Sequence, residues 1–177
     1  MPEKSLKLDC YMDADFAGLY GVEDKQDPVC VKSCTGYVLT LGTCPLIWVS
    51  KLQTEVALSM TEAEYIALSQ SMRDLLPMHQ ILQEAGSALK LDFAKPAIVH
   101  STIFEDNNGM LSLATAPMIS PRTKHIAIKY HHFCNSIGEL KGILIEKIDT
   151  HVQKVDIFTK GLLVDKHKSI WQLLMGW

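Results

Sequence analysis

The sequence predicts an α/β domain: a mixed five-stranded sheet, three antiparallel strands then two more, flanked by helices. Three observations predict it. Three short strand patterns come first, close enough together to form an antiparallel meander. A long helical stretch follows, and after it strand and helix patterns alternate, which adds strands to a sheet and helices to its faces. The chain has 177 residues and is 47% hydrophobic, enough for one full core and too little for two comfortable domains.

Leu6 to Met12 reads as the first strand, because Leu6, Leu8, Cys10 and Met12 alternate with Lys7, Asp9 and Tyr11. Asp13 to Asp27 is a loop rich in Gly and Asp. Cys34 to Leu41 and Pro45 to Val49 are the next strands, with Gly42 and Thr43 as hairpin turn chemistry. Ser59 or Thr61 caps a helix reaching about Ala85, and Thr61 with Glu64 fits a capping box. Ala63, Ala67, Met78, Ile81, Leu82 and Ala85 keep helical spacing over part of it. Pro77 predicts a kink or break, and Gly86 a stop.

Ala97 to Phe104 is a buried strand running directly into Glu105, Asp106 and Asn107. A short helix follows over Asn108 to Ala114. Thr123 then caps a third helix with Ile126, Tyr130, Phe133, Ile137 and Leu140 on one face, ended by Gly142. Ile143 to Ile148 is the last strand. A last helix starts at Val155, is interrupted near Gly161 and resumes from Asp165 to Met175. Trp48, Tyr65 and Phe133 are expected in the core.

Composition narrows the function classes. No apolar run reaches the roughly 18 residues that span a bilayer. The N-terminal residues are polar and lysine-bearing, unlike a signal peptide. The net charge is −3, without the basic excess usual in a free-standing nucleic-acid binder, so affinity for nucleic acid must be local, metal-borne or lent by a neighbouring domain. Cys10, Cys30, Cys34, Cys44 and Cys134 lack the spacing of a zinc site and are expected as reduced thiols. No Gly-rich phosphate loop, nucleophile elbow or H-E-x-x-H helix is present.

Four carboxylates stand out by position. Asp13 closes the first strand and Asp106 the fourth, while Glu64 and Asp156 lie at helix starts, where negative charge is favoured. If strands one and four are neighbours, two acids share a sheet edge and two helix-borne acids can close a pocket. Clustered carboxylates repel one another unless a cation neutralises them, and their oxygens suit Mg²⁺ or Mn²⁺. Each acid also has a purely structural explanation: Asp13 and Asp15 as turn residues, Glu64 as the capping-box partner, Asp106 as an N-cap, Asp156 as a solvated first-turn charge. Position alone does not choose between these.

Seven segments carry a resemblance: Tyr11–Gly18 (YMDADFAG), Lys32–Leu41 (KSCTGYVLTL), Ile47–Gln53 (IWVSKLQ), Val56–Ser69 (VALSMTEAEYIALS), Glu105–Asn108 (EDNN), Arg122–His132 (RTKHIAIKYHH) and Val155–Leu162 (VDIFTKGL). In order and separation they resemble the ribonuclease H domain of copia-type (Pseudoviridae) retrotransposon Pol polyproteins, over nearly the whole chain. The resemblance implies a ribonuclease H-like fold, and Asp13, Glu64, Asp106 and Asp156 as catalytic metal ligands. Asp15 and Glu62 are the neighbours to be set aside: the chain is expected to be turning at Asp15, and Glu62 lies about 200° around a helix from Glu64. The family motif reads RTKHIDI, so Ala127 stands where it has aspartate, and Met60 replaces one of two serines.

The implied activity is cleavage of the RNA strand of an RNA–DNA hybrid during reverse transcription, with two Mg²⁺ or Mn²⁺ ions roughly 3.5–4 Å apart. The implied partners are the hybrid and an adjacent reverse transcriptase domain, with no membrane. Residues 1–177 are then one domain, the C-terminal part of a larger polyprotein, in a cytoplasmic retrotransposon particle or the nucleus. His151 is a candidate proton shuttle, or a surface loop histidine. Arg122, Lys124, His125 and Lys129 are candidates for phosphate contacts, or part of a solvated helix face, with Lys51 and Lys160 weaker candidates. The competing reading is a non-catalytic, retrotransposon-derived module that keeps the fold.

Overall fold

The computed structural model describes residues 6–23, 26–90, 99–115 and 131–176. The strands are β1 (Leu6–Asp15), β2 (Cys34–Leu41), β3 (Cys44–Leu52), β4 (Val99–Glu105) and β5 (Ile143–Lys147). The α-helices among the described residues are α1 (Met60–Ala88), α2 (Asn108–Thr115), α3 (Asp156–Thr159) and α4 (Val164–Met175). One five-stranded sheet runs in the order β3-β2-β1-β4-β5. β1, β2 and β3 pair antiparallel; β4 pairs parallel with β1, and β5 parallel with β4. This is the mixed sheet the sequence predicts.

The alternation in β1 sets the faces. Leu8, Cys10 and Met12 are fully buried and pack with α1 and α2 in the larger core, which also holds Leu39, Ile103 and Phe133. The other parity brings Tyr11 to a smaller core, built on Val38, Val155, Ile170 and Leu174, beneath α3 and α4. Gly42 takes φ 62 in the hairpin turn, a conformation that costs glycine little. β1 extends past its expected end at Met12 to Asp15, because it pairs with β2 through Asp15↔Cys34.

The start of α1 differs from expectation in a way that matters. Its N-cap is Ser59, whose hydroxyl accepts from the Glu62 backbone N–H, and the Glu62 carboxylate accepts from the Leu58 N–H. The capping glutamate is therefore Glu62, and Glu64 is free to turn inward. The helix runs continuously through Pro77 and Gly86, for 29 residues. Its buried stripe is Leu68, Met72, Leu75, His79 and Gly86, whereas Ile81 is exposed. Pro77 is itself on the exposed side, where loss of one backbone hydrogen bond is tolerated best.

The third predicted helix does not form as one element among the described residues. Thr123, Ile126 and Tyr130 lie outside the described residues. His131–Ser136 and Glu139–Lys141 are separate 3₁₀ turns, and Gly138 between them has φ 141 and bridges to Ile143. The apolar spacing does bury Phe133, against Tyr65 at 5.5 Å between ring centroids. Trp48 is the other correction: it is 64% exposed on β3 and borders an apolar cleft with Trp171 and Leu174, outside the core. No helix among the described residues is long and apolar enough to cross a membrane.

Candidate active site

Parallel pairing of β1 with β4 brings their C-terminal ends side by side. Asp13 leaves β1 on the α3 side. Glu64 reaches the same edge from the second turn of α1, and Asp106 is the first residue beyond β4. One carboxylate oxygen from each of Asp13, Glu64 and Asp106 lies within 4.8 Å of the others. They line a pocket of about 290 Å³ together with Asp15, Asn107 and Lys160. Asp13 is 1% exposed and Glu64 3%, while Asp106 is half-buried.

The electrostatics of this edge are those of acids crowded together. Burial pushes the Glu64 carboxyl far above the usual range, and the nearby charges of Glu105, Asp13 and Asp106 push it further. Glu105, the last residue of β4, is fully buried and raised by the same causes, burial first, with the Asn107 backbone N–H acting against them. That N–H donates to Glu105 Oε1 at 2.9 Å. Glu105 Oε2 and Glu64 Oε2 are buried without a hydrogen-bond partner among the described residues. Burial also raises Asp13, against the opposing pull of Lys160 and Thr159.

Sequence reasoning missed Glu105 as part of this field, although it stands in the EDNN block. It also missed the elements that hold Asp13. The Thr159 hydroxyl donates to Asp13 Oδ2. Lys160 Nζ lies 3.0 Å from Asp13 Oδ1 and 3.1 Å from Asp156 Oδ1. Lys166 from α4 takes the other Asp156 oxygen, at 2.5 Å. Although burial opposes its charge, the two carboxylates hold the Lys160 ammonium above the ordinary lysine range. The site thus brings Asp13, Glu64 and Asp106 together, and joins Asp156, fully buried, to Asp13 through Lys160.

Close approach makes this possible. Gly36 of β2 stands opposite Asp13, and a Cβ there would sit 2.5 Å from Thr159 Cγ2 and 2.9 Å from Val155 Cγ1. Without it, α3 lies directly on the sheet. Gln153 ties the preceding turn to β1 by donating to the Met12 carbonyl at 2.9 Å, and Ser50 of β3 donates to the Phe158 carbonyl at 2.6 Å.

Asp15 still belongs to β1 and lines the pocket, yet it is not one of the three converging acids. Glu62 is spent at the helix cap. His151 is exposed in a 3₁₀ turn, its backbone N–H bonded to Asp149, and it does not line the pocket. Arg122, Lys124, His125, Ala127 and Lys129 lie outside the described residues. Lys51 is exposed on β3 and lines a separate pocket with Tyr37 and Arg73, not the one lined by Asp13, Glu64 and Asp106.

The donor set fits a hard divalent cation. It is made only of carboxylate oxygens, the neighbouring acids oppose ionisation of Glu64, and the buried Glu64 Oε2 lacks a hydrogen-bond partner among the described residues. Asp13, Glu64 and Asp106 are the residues able to hold such an ion.

No family model matches the chain. It is 35% identical over 158 residues to the retrovirus-related Pol polyprotein from transposon RE1 of Arabidopsis thaliana, covering 89% of this chain and 10% of that one. It is 33% identical over 164 residues to the Pol polyprotein from transposon TNT 1-94 of Nicotiana tabacum, covering 93% of this chain and 11% of that one. The chain therefore spans about a tenth of the length of these relatives. Among solved structures it is similar to the N-terminal RNase H domain of a Mycobacterium tuberculosis protein, with a TM-score of 0.54, 11% identity, and coverage of 94% of this chain and 97% of that one. It is also similar to the LC11 RNase H1 isolated from compost, solved in complex with an RNA/DNA hybrid, with a TM-score of 0.52, 16% identity, and coverage of 86% and 93%. These matches bear out the resemblance carried by the seven segments. By sequence the chain is a homologue of one segment of the retrovirus-related Pol polyproteins of plant transposons, and by structure it has the ribonuclease H fold.

Proposed function

We propose that this chain is a divalent-cation-dependent ribonuclease H that hydrolyses the RNA strand of an RNA–DNA hybrid during retrotransposon reverse transcription. The observation that carries the reading is the convergence of Asp13, Glu64 and Asp106 within 4.8 Å, at the β1–β4 edge of a ribonuclease H fold. When bound, Mg²⁺ or Mn²⁺ supplies Lewis acidity at a phosphodiester oxygen and lowers the pKa of water. The chain's own residues prepare the place for it. Thr159 fixes the Asp13 carboxylate, α1 delivers Glu64 with one oxygen uncommitted, and half-buried Asp106 forms the side open to solvent. Glu105, buried behind them, adds a carboxyl anchored by the Asn107 backbone N–H.

Asp156 belongs to the reading as a fourth acid, acting on Asp13 through Lys160. His151 as proton shuttle, and Arg122, Lys124, His125 and Lys129 as phosphate contacts, remain part of it. So does a reverse transcriptase domain as the neighbour that brings the hybrid, supported by the kinship to Pol polyproteins. Cleavage of a labelled hybrid in Mg²⁺ tests the core of the proposal. Asp106→Asn should lose at least about a hundredfold in rate, ~2.7 kcal/mol of transition-state stabilisation; equal cleavage by the two proteins defeats the assignment.

One observation favours a second reading. The lysines and Thr159 meet both oxygens of Asp13 and both of Asp156, so those two acids are compensated within the chain. A retained fold without catalysis needs no more than that. Calorimetric titration with Mg²⁺ separates the two: binding that Asp106→Asn abolishes supports the enzyme, and absence of binding supports the inert module.

A further inference from the structure

Lys160 links Asp156 to Asp13, and that placement has a consequence for how many divalent ions the site can hold. Its ammonium bonds Asp13 Oδ1 and Asp156 Oδ1 at 3.0 and 3.1 Å, so it stands between two buried carboxylates that no other cation links among the described residues. The placement is built into the fold. Asp156 and Lys160 are four residues apart, the spacing that stacks side chains on one helical face. The missing side chain of Gly36 lets that helical turn lie against Asp13. Lys166 covers the outer oxygen of Asp156 from a separate helix, leaving only the Asp13-facing oxygen to Lys160. A second divalent ion would also need carboxylate oxygens, and Asp13 and Asp156 already give theirs to Lys160.

We propose that Lys160 is a built-in cation that takes the place between Asp13 and Asp156, so that the centre holds one divalent ion, on Asp13, Glu64 and Asp106, where two were expected. The inference rests on the metal reading above and narrows it. Asp13 is shared between the lysine, on Oδ1, and the divalent ion, with Thr159 steadying it through Oδ2. A second ion there must first expel a positive charge from two buried acids, and the two cations cannot occupy that place together.

Counting Mn²⁺ bound per chain, from the electron paramagnetic resonance of the free ion and without nucleic acid, tests this directly. Wild type should bind one ion, Lys160→Met two, and Lys160→Arg, which keeps the charge, one. Two ions in wild type, or one in Lys160→Met, overturns the inference and leaves the metal reading standing. No ion in wild type and Lys160→Met alike, or an Asp106→Asn protein that binds as wild type does, sinks the metal reading and the inference with it. A measurement on the unsubstituted chain guards against a variant that fails to fold. With ¹⁵N-labelled lysine, the hydrogen-bonded Lys160 ammonium should keep its resonance at saturating Mg²⁺. Its move to the position of a free lysine shows the ion displacing it and overturns the inference.

Discussion

Glu64 joins burial, charge and function in one side chain. An unfolded glutamate releases its proton near pH 4.5, whereas folded Glu64 holds it to a much higher pH, because burial and then the Glu105, Asp13 and Asp106 charges oppose ionisation. Between those limits the folded chain binds more protons than the unfolded one, so raising the pH weakens the metal-free fold. The loss is at most about 1.4 kcal/mol per pH unit for each proton retained. His79, lowered by burial, works in the opposite sense, but only up to the ordinary histidine range. The clean window therefore runs from about pH 7 to about pH 8.5. Without metal the melting temperature should fall across it; saturating Mg²⁺ should flatten the fall by replacing protons with a cation, and Glu64→Gln should lessen it, leaving the share that raised Glu105 carries. A metal-free melting temperature that rises across this window contradicts the electrostatic account of the site.

At the level of elements, the site depends on how closely α3 approaches the sheet. Gly36→Ala should destabilise the chain by about 1–3 kcal/mol, because the new methyl would overlap Thr159 and Val155. It should also loosen the grip of Thr159 and Lys160 on Asp13, and so lower activity. Urea denaturation beside a cleavage assay reads both, and an unchanged midpoint rules out the close-approach argument. Neither Gly36 nor Thr159 was legible as a functional residue from spacing, since neither carries charge. They stand in matching segments (SCTGYV and DIFTK), which preserve a packing arrangement that periodicity does not express. Strands were legible because burial on one face writes period two into β1, and Gly42–Thr43 writes the turn. The start of α1 was misread because two Ser/Thr–Glu pairs offer a cap, Ser59–Glu62 and Thr61–Glu64, and only the folded chain shows Glu64 drawn inward. The 3₁₀ turns after His131 were misread because the spacing of Phe133, Ile137 and Leu140 fits a helix, while Gly138, with no side chain, escapes a pattern of apolar positions.

For the molecule as a whole, the nuclease reading requires an acidic chain to meet a polyanion. Lys and Arg number 17 against 20 Asp and Glu, and two of those lysines, Lys160 and Lys166, are committed to Asp156. On the nuclease reading a phosphate has to arrive at the pocket lined by Asp13, Asp15, Glu64 and Asp106, where the lysine on the lining, Lys160, is already held by Asp13 and Asp156, so the pocket itself offers a polyanion little attraction. Attraction must then come from outside the pocket, and the densest basic run in the sequence is Arg122, Lys124, His125 and Lys129. If these side chains neutralise phosphates, hybrid binding measured by fluorescence anisotropy with metal chelated, so that nothing is cut, should be weak and steeply salt-dependent. Replacing Arg122, Lys124 and Lys129 together by Gln should lower the slope of log K against log salt by roughly one for each phosphate no longer neutralised. A triple variant with the wild-type slope assigns the phosphate binding to other residues. Tethering the chain to a neighbouring hybrid-binding domain should restore affinity to the triple variant without restoring that slope, since a tether raises local concentration and neutralises no phosphate of its own.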